Sequence, residues 1–358
     1  MTGLEAKQQL EAYRPKINKL LRQFFNKYLQ TAKKDHPFLG YLYERAGKQI
    51  MRGGKRLRPV LMIKAYRAVG GTDVKEIEKA ALGAEFFHNF LLLHDDVMDQ
   101  DDQRHGGPSL HKVCEQYHRR SKFTGDAARF GESMAVDVGD IVAALGYEAI
   151  LLSNFPFSRR VQAAQIMNQA MLYTGKGQAL DILVEVRNKA SQDVILKIHK
   201  YKTAHYTIET PLLAGSVLGG APAATQKMFS RYAIPLGIAF QIQDDILGVY
   251  ADEAKLGKPI GSDLREGKQT LLTVYALNKG NVKQKKELGA ILEKPKLKNS
   301  DIEIARGIIA DSGALDYSQK LAKTYARRAR RIIETAKIRK SERDFFSGIA
   351  SYIIERDF

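Results

Sequence analysis

The chain has 358 residues, of which 44% are hydrophobic and 27% are charged, a composition that supports a sizeable core and excludes wholesale disorder. Lys and Arg number 57 against 40 Asp and Glu, so the formal net charge of +17 indicates a solvated basic surface or anionic partners such as nucleic acid, anionic lipid or phosphorylated substrates. The single cysteine, Cys114, excludes an intrachain disulfide framework and a cysteine-built zinc site.

The first residues carry no apolar stretch of the kind that forms a signal-peptide core, so we expect no targeting segment. The longest uncharged stretch, residues 210–226, contains two prolines and three glycines and is shorter than the roughly 20 apolar residues of a membrane-spanning helix. We therefore predict no transmembrane segment. Together with the single cysteine, this favours a cytoplasmic protein.

Apolar residues recur at three- and four-residue spacing along most of the chain, which is the period of an amphipathic helix. Helices are predicted over residues 77–93, 141–152, 194–213, 228–249 and 302–333. Alternating strand patterns are scarce, and glycine pairs lie between or near the ends of these runs. We predict roughly ten or more helices in one all-α domain spanning residues 1–358. A polar loop or insertion is predicted at Tyr117–Arg129.

An acidic cluster follows the apolar run Phe90–Leu93. On a helix, four side chains would share one face: His88, Asp95, Asp99 and Asp102. Asp96 would lie about 100° round the helix. The alternative is an acidic helix end at the surface, but carboxylates there repel one another and the helix dipole, and a divalent cation removes that cost. Carboxylates without cysteine favour a hard ion such as Mg²⁺, held partly by phosphate oxygens.

A second acidic cluster repeats this pattern after another apolar run. Gln241, Asp244, Asp245 and Gly248 stand at positions i, i+3, i+4 and i+7 of a predicted helix. Lys258 and Lys268 follow in a loop-like segment. Two acidic clusters with nearby lysines indicate a chamber in which metal ions and cations hold a diphosphate.

The segment Gly53–Pro59, GGKRLRP, is a further candidate for phosphate binding. Its glycines permit a tight turn, while Lys55 and Arg58 offer a point charge and a bidentate guanidinium group. It is not a Walker A loop, because no Ser or Thr follows the lysine. The alternative for this segment is a basic helix start.

Two other function classes are considered. An HD-type metal phosphohydrolase is suggested by His88 and by the adjacent His94 and Asp95, but it needs several histidine ligands and gives the second aspartate pair no role. Nucleic-acid binding is suggested by the basic helical segment Lys323–Ile332, which lacks a recognisable RNA-binding motif and suitably spaced aromatic residues. We expect no nucleic-acid partner.

Five blocks in order along residues 53–268 resemble the polyprenyl synthetase family of trans-isoprenyl diphosphate synthases: GGKRLRP, DDVMD followed by QRHGGPSLH, YKT at 201–203, FQIQDD, and the downstream Gly-Lys pairs. The resemblance implies a single-domain helical bundle around a deep central cavity, and a homodimer. It also implies Mg²⁺ as cofactor, with three ions when substrate is bound. The implied reaction is ionisation of an allylic diphosphate, attack on the carbocation by the double bond of isopentenyl diphosphate, and proton loss.

The resemblance also implies roles residue by residue. Isopentenyl diphosphate would be bound by Lys55, Arg58 and His88. The metal ligands would be Asp95, Asp99 and Asp244, supported by Asp96 and Asp245. The allylic diphosphate would contact Arg104, Lys202, Thr203, Gln241, Lys258 and Lys268. Catalysis would rest on the three principal metal ligands and on Lys202.

Two positions depart from the family pattern. His105 stands where the family has a second arginine that serves isopentenyl diphosphate, so we expect a changed affinity for that substrate and a changed pH dependence. Gly248 stands where the second acidic motif usually ends in Asp, so that cluster has one ligand fewer. These departures leave open an inactive or regulatory subunit of a heteromeric synthase.

Product length is expected to depend on Phe90 and Leu91, which precede Asp95 by five and four positions. In the family, a side chain one turn before the first aspartate forms the floor of the tunnel that holds the growing chain. An aromatic residue beside an aliphatic one resembles synthases that make the twenty-carbon geranylgeranyl diphosphate. We predict that product, with farnesyl diphosphate as the alternative, and core packing is the other reading of Phe90.

Overall fold

The computed structural model describes residues 1–187, 189–251, 261–294 and 296–355. Helices dominate this part of the chain: α1 (Gly3–Asp35), α2 (Pro37–Met51), α3 (Leu57–Ala68), α4 (Val74–Ala80), α5 (Leu82–Met98), α6 (Leu110–Arg120), α7 (Ala127–Leu151), α8 (Phe157–Arg187), α9 (Gln192–Ile198), α10 (Thr210–Leu218), α11 (Ala223–Tyr250), α12 (Ser262–Arg265), α13 (Leu271–Lys279), α14 (Val282–Leu292), α15 (Asn299–Asp311), α16 (Ala314–Glu334) and α17 (Lys340–Ile354). A π-helix, His199–Glu209, joins α9 to α10. The strands in the described ranges are β1 (Gln103–Arg104) and β2 (Gly107–Pro108), which form an antiparallel pair. The all-α prediction is confirmed.

Some predicted helical runs are divided in the structure. The run 302–333 is two helices, because Gly313 takes a positive φ of 78° between α15 and α16. The run 194–213 contains α9, the π-helix and the start of α10, where the backbone N–H of Thr210 donates to the carbonyl of His205. Pro211 follows and has no N–H to continue an α-helical ladder. Hydrophobic periodicity does not separate these helix types.

The prediction of a polar loop over Tyr117–Arg129 is wrong for most of that segment. Its first four residues belong to α6 and its last three to α7. The physical reason is aromatic packing: the Tyr117 ring lies 4.5 Å from the ring centroid of Tyr41. Phe123, in the intervening turn, lies 5.8 Å from Tyr117. The connection between α6 and α7 is therefore short and held by tilted and edge-to-face aromatic contacts.

Contacts divide the chain into two compact units. Residues 8–167 and 214–221 form one unit, in which α5 packs closely on α7. A Cβ added at Gly83 would lie 2.6 Å from the carbonyl oxygen of Gly146, so α5 needs glycine where it crosses α7. The close packing of α5 on α7 fixes the position of α5, whose C-terminal end carries the first acidic cluster.

The second unit comprises the described residues within 1–7, 168–213 and 222–358. Here α11 packs on the π-helix and on α16. A Cβ added at Gly237 would lie 2.5 Å from Ala204, so this glycine lets α11 and the π-helix touch. Buried side chains from α11, α13 and α15 continue the core, among them Ile242, Leu272 and Ile309. This packing positions the second acidic cluster against the π-helix.

None of the described helices combines the length and apolar composition needed to cross a bilayer. The one-domain assignment over 1–358 and the deep central cavity stay predictions.

Candidate active site

The first acidic cluster closes α5. Asp99 is the C-cap residue, and its backbone N–H donates to the carbonyl of Asp95 at 2.8 Å, so the two carboxylates lie one helical turn apart. Asp102 lies beyond the helix end, and the prediction that it shares the helical face is wrong. The reason is the backbone at Gln100, whose φ of 54° turns the chain away towards β1.

Asp96, the second aspartate of the pair, points inward. Its side chain is 1% exposed, whereas that of Asp95 is 24% exposed. Gln49 Nε2 donates to Asp96 Oδ2 at 2.9 Å, and Arg104 Nε donates to Oδ1 at 2.5 Å. Burial raises the pKa of Asp96 to about 6, although Arg104 opposes that rise. Asp96 is thus engaged by protein groups on both oxygens.

Arg104 connects the β-hairpin to this cluster. Besides Asp96 it donates to Asp101 at 2.9 Å, and it lies 3.9 Å from Asp95. Its own backbone carbonyl accepts a hydrogen bond from Arg52 Nη1 at 3.1 Å, and Arg52 also donates to the carbonyl of Pro108. Arg52 therefore holds both hairpin strands beside the aspartates. Sequence reasoning missed Arg52 and Gln49, because neither lies in a motif.

The glycine-rich segment before α3 is fixed by Arg56. This side chain is buried, contacts Glu85 at 2.6 Å and donates to the carbonyl of Ile50 at 2.9 Å. It is a structural residue of the loop. Lys55 is exposed, and Arg58, in the first turn of α3, is half-buried. The two predicted phosphate-binding cations are therefore held on an anchored loop.

His105 and His88 lie close to this loop. A Cβ added at Gly53 would lie 3.0 Å from the His105 ring, so the imidazole rests on the glycine. Burial and the neighbouring Arg104 lower the pKa of His105. Burial and the positive charge of Arg58 lower the pKa of His88 far below its usual value. Both rings are neutral at pH 7.

The second acidic cluster lies on α11 and repeats the arrangement of the first. Asp245 is buried: its Oδ1 accepts from Gln241 Nε2 at 2.8 Å, and its Oδ2 lies 2.9 Å from His199 Nε2. Burial alone would raise the pKa of Asp245, but the contact with His199 keeps it below its ordinary value. Thr203 donates to Gln241 Oε1 at 2.7 Å. Asp244 is half-buried.

The π-helix carries the residues that contact the second acidic cluster. It carries His199, Lys202 and Thr203, and Lys202 Nζ donates to Asp181 on α8 at 2.8 Å. No sequence motif points to His199, which is buried against Asp245 of the second acidic cluster. Its position three and four residues before Lys202 and Thr203 is the signal that sequence reasoning missed.

The downstream segment contributes Lys268 and Asp263. The charge of Asp263 is the largest influence that raises the pKa of Lys268 well above its usual value, followed by opposing burial and the charges of Asp245 and Asp181. A Cβ added at Gly248 would lie 2.5 Å from Asp263 Cγ. The Asp263 carboxylate thus lies against the position at which the second acidic motif lacks its last aspartate. Lys258 lies outside the described residues.

The two clusters share one design. In each pair the second aspartate is buried and held by protein groups, whereas the first is more exposed. Within the described residues, no group of three or more His, Cys, Asp or Glu side chains forms a ready-made metal cage. This donor set fits Mg²⁺, which binds through one or two carboxylates and completes its shell with water and phosphate oxygens.

Phe90 lies on α5 one turn before the aspartates. It is 6% exposed and makes edge contacts with Phe87 at 5.3 Å and His94 at 5.1 Å between ring centroids. Leu91 beside it is half-buried. His94 Nε2 lies 3.0 Å from the carbonyl of Val136, a protein contact that gives no support to an HD-type histidine metal site.

Comparisons with known proteins agree with this chemistry. Residues 41–309 match the family model described as polyprenyl synthetase. The geranylfarnesyl diphosphate synthase of Aeropyrum pernix is 34% identical over 86% of this chain and 92% of its own length. The geranylgeranyl diphosphate synthase of Saccharolobus solfataricus is 35% identical over 76% of this chain and 77% of its own length. The structure of geranylgeranyl pyrophosphate synthase from Corynebacterium glutamicum, complexed with isoprenyl diphosphate and magnesium, matches with a TM-score of 0.92 and 26% identity, covering 97% of this chain and 99% of that one.

Proposed function

Because the chain belongs to the polyprenyl synthetase family and is a prenyltransferase, we propose that it condenses isopentenyl diphosphate with allylic diphosphates in a Mg²⁺-dependent reaction. It is a short-chain prenyl diphosphate synthase, and the product proposed is geranylgeranyl diphosphate. The observation that carries the proposal is the pairing, in each cluster, of one accessible aspartate with one held by buried partners.

The metal role is proposed for Asp95, Asp99 and Asp244. Bound Mg²⁺, three ions in the full complex, would neutralise charge that develops on the leaving diphosphate. Asp96 and Asp245 support these ligands, because both are already hydrogen-bonded to protein donors. Their engagement fixes the end of α5 and the face of α11 before substrate arrives. Less reorganisation is then needed when the diphosphate leaves.

Cationic side chains would stabilise the same leaving group. Lys202 Nζ donates a hydrogen bond to Asp181 at 2.8 Å. The charge of Asp263 raises the pKa of Lys268, so this side chain is protonated at neutral pH. Arg104 is held by Asp96 and Asp101, so its guanidinium group is presented in a fixed orientation. Lys258, Thr203 and Gln241 complete the proposed set of diphosphate contacts. These residues bind and orient; they do not transfer a proton.

Isopentenyl diphosphate is proposed to bind at the loop before α3. Lys55 and Arg58 supply the cations, and neutral His88 and His105 supply hydrogen bonds. The attack of its double bond on the allylic carbocation requires that water be kept away. Phe90 and Leu91 are proposed to provide apolar wall at the end of the growing chain. Farnesyl diphosphate is the alternative product.

A homodimer is proposed from an apolar face on α8. Four exposed side chains lie on one side of this helix within residues 168–187: Leu172, Ile182, Leu183 and Val186. Val186 is 75% exposed, which favours burial against a second copy. Size-exclusion chromatography with light scattering tests this: a Val186→Asp variant that stays dimeric contradicts it. A cytoplasmic location stays a prediction.

A regulatory subunit is the second candidate, and Gly248 and His105 favour it. The test uses labelled isopentenyl diphosphate with dimethylallyl, geranyl and farnesyl diphosphates and sizes the products after dephosphorylation. We expect Asp95→Asn and Asp244→Asn to lose most of the turnover. Asp140→Asn is the matched control, because its carboxylate is 71% exposed on α7 and has no proposed role. An inactive wild-type chain that becomes active with a partner subunit would favour the second candidate.

A further inference from the structure

The exposed face of α16 is strongly basic. The buried side of this helix carries small residues such as Ala322, Ala326 and Ala329. Between residues 320 and 343 the sequence has ten Lys or Arg and two Glu, of which Glu342 is fully buried. The α16 basic face consists of exposed side chains on the helix and in the turn after it: Lys323, Arg327, Arg328, Arg331, Lys337 and Arg339.

These cations repel one another. Arg327 lies four positions from both Lys323 and Arg331, a spacing that places like charges side by side on a helix. In the part of the chain that the structure describes, the ion pairs on α16 join Lys320 to Asp316 and Arg330 to Glu334. No described carboxylate pairs with Lys323, Arg327, Arg328 or Arg331. An anionic partner would remove this repulsion.

We propose that the α16 basic face binds the surface of an anionic lipid membrane. The proposal rests on the proposed function, because a prenyl diphosphate is an amphiphile whose hydrocarbon chain partitions into a bilayer. Anionic headgroups attract clusters of Lys and Arg. The face carries no exposed apolar anchor, so the binding is peripheral, electrostatic and weakened by salt. A synthase bound at the membrane surface releases its prenyl diphosphate product next to the bilayer into which the hydrocarbon chain partitions.

The aromatic residues of α16 favour lipid over nucleic acid. Tyr317 stacks on Tyr275 at 4.3 Å between ring centroids and donates to Gln192 at 3.0 Å. Tyr325 is partly buried against the hydrophobic core. Both are turned away from the basic face, so neither offers a platform on which a base could stack. The face therefore presents charge alone, which suits a membrane surface.

The experiment measures co-sedimentation of the purified full chain, without substrates, with vesicles of phosphatidylcholine alone or with phosphatidylglycerol added. The test variant carries Arg327→Gln, Arg328→Gln and Arg331→Gln. The matched control carries Lys283→Gln, Lys285→Gln and Lys286→Gln on α14, three exposed residues whose replacement lowers the net charge equally. Circular dichroism checks that both fold, and Arg327→Gln alone serves if the triple variant does not.

We expect wild type and control to bind the anionic vesicles and not the neutral ones, with binding lost in high salt. The α16 variant should bind about a hundredfold more weakly, because each basic residue near an anionic surface adds about fivefold to binding. Equal loss in both variants would show a net-charge effect and overturn the proposal. A gel-shift assay with a single-stranded RNA oligonucleotide runs in parallel. Loss of RNA binding by the α16 variant with unchanged vesicle binding would overturn the proposal in favour of nucleic acid. Vesicle binding by a chain without synthase activity would refute the proposed synthase function but would still support membrane binding by the α16 basic face.

Discussion

Replacement of Asp96 by Asn should change how the stability of the protein depends on pH. Burial raises the pKa of Asp96 from 3.8 to about 6, so the folded protein binds a proton there that the unfolded chain has already lost between these values. Stability from this group is fully present below pH 4 and falls as pH rises through 6. The difference between a pKa of 3.8 in the unfolded chain and about 6 in the folded protein corresponds to roughly 3 kcal/mol.

The Asn variant lacks this titration. Its amide can occupy the same place, because Gln49 Oε1 has no partner among the described groups and a turn of the Gln49 amide would present this oxygen to Asn. Relative to the variant, wild type should therefore lose about 2 kcal/mol of unfolding free energy between pH 4 and pH 7.

Urea unfolding followed by circular dichroism, in EDTA at a series of pH values, measures this difference. Asp311→Asn, at an exposed carboxylate near the end of α15, serves as the control and should follow the wild-type curve. A difference between wild type and Asp96→Asn that stays constant with pH, or that favours wild type as pH rises, would refute the reasoning.

Three further predictions concern the same unit. Arg104→Ala removes the cation that pairs with Asp96 and should cost about 3 kcal/mol of unfolding free energy at pH 7. The cost should be smaller at pH 5, where Asp96 takes up a proton. An equal loss of unfolding free energy at both pH values would contradict this pairing. His105→Arg introduces a permanent positive charge and should lower the KM for isopentenyl diphosphate. The KM of wild type should fall as pH drops, because the imidazole of His105 becomes protonated. A KM that changes neither with the substitution nor with pH would show that His105 does not bind this substrate. Phe90→Ala should lengthen the product and reduce stability by roughly 3–5 kcal/mol, and a destabilised variant with unchanged product length would leave Phe90 as core packing.

The sequence predicts the helical class and both aspartate pairs, but not which member of each pair turns inward. On a helix, neighbouring residues differ by about 100°, and the partner that selects the buried one comes from elsewhere in the chain. Gln49 is 47 residues from Asp96 in sequence, and no motif in either segment predicts that the two side chains form a hydrogen bond. Helical spacing predicts that Asp102 shares a face with Asp95 and Asp99, because the pattern continues past Gln100, where the backbone turns.

The contacts of the second acidic cluster also could not be predicted from the sequence. The YKT block indicates a diphosphate-binding role for Lys202 and Thr203, yet the π-helix that carries them has no distinct hydrophobic pattern. His199 contacts Asp245 only because that helix packs on α11 at Gly237. The position of Asp263 beside Gly248 likewise depends on tertiary packing.

The most direct test of the central claim is a condensation assay with the wild-type chain alone. Purified protein is incubated with labelled isopentenyl diphosphate and one of three allylic primers, dimethylallyl, geranyl or farnesyl diphosphate, with Mg²⁺ or with EDTA. The dephosphorylated products are sized by chromatography. We expect a twenty-carbon alcohol that forms with Mg²⁺ and disappears with EDTA. A product of another length would refute the assignment of the tunnel floor, and the absence of condensation with every allylic primer would contradict the proposed function.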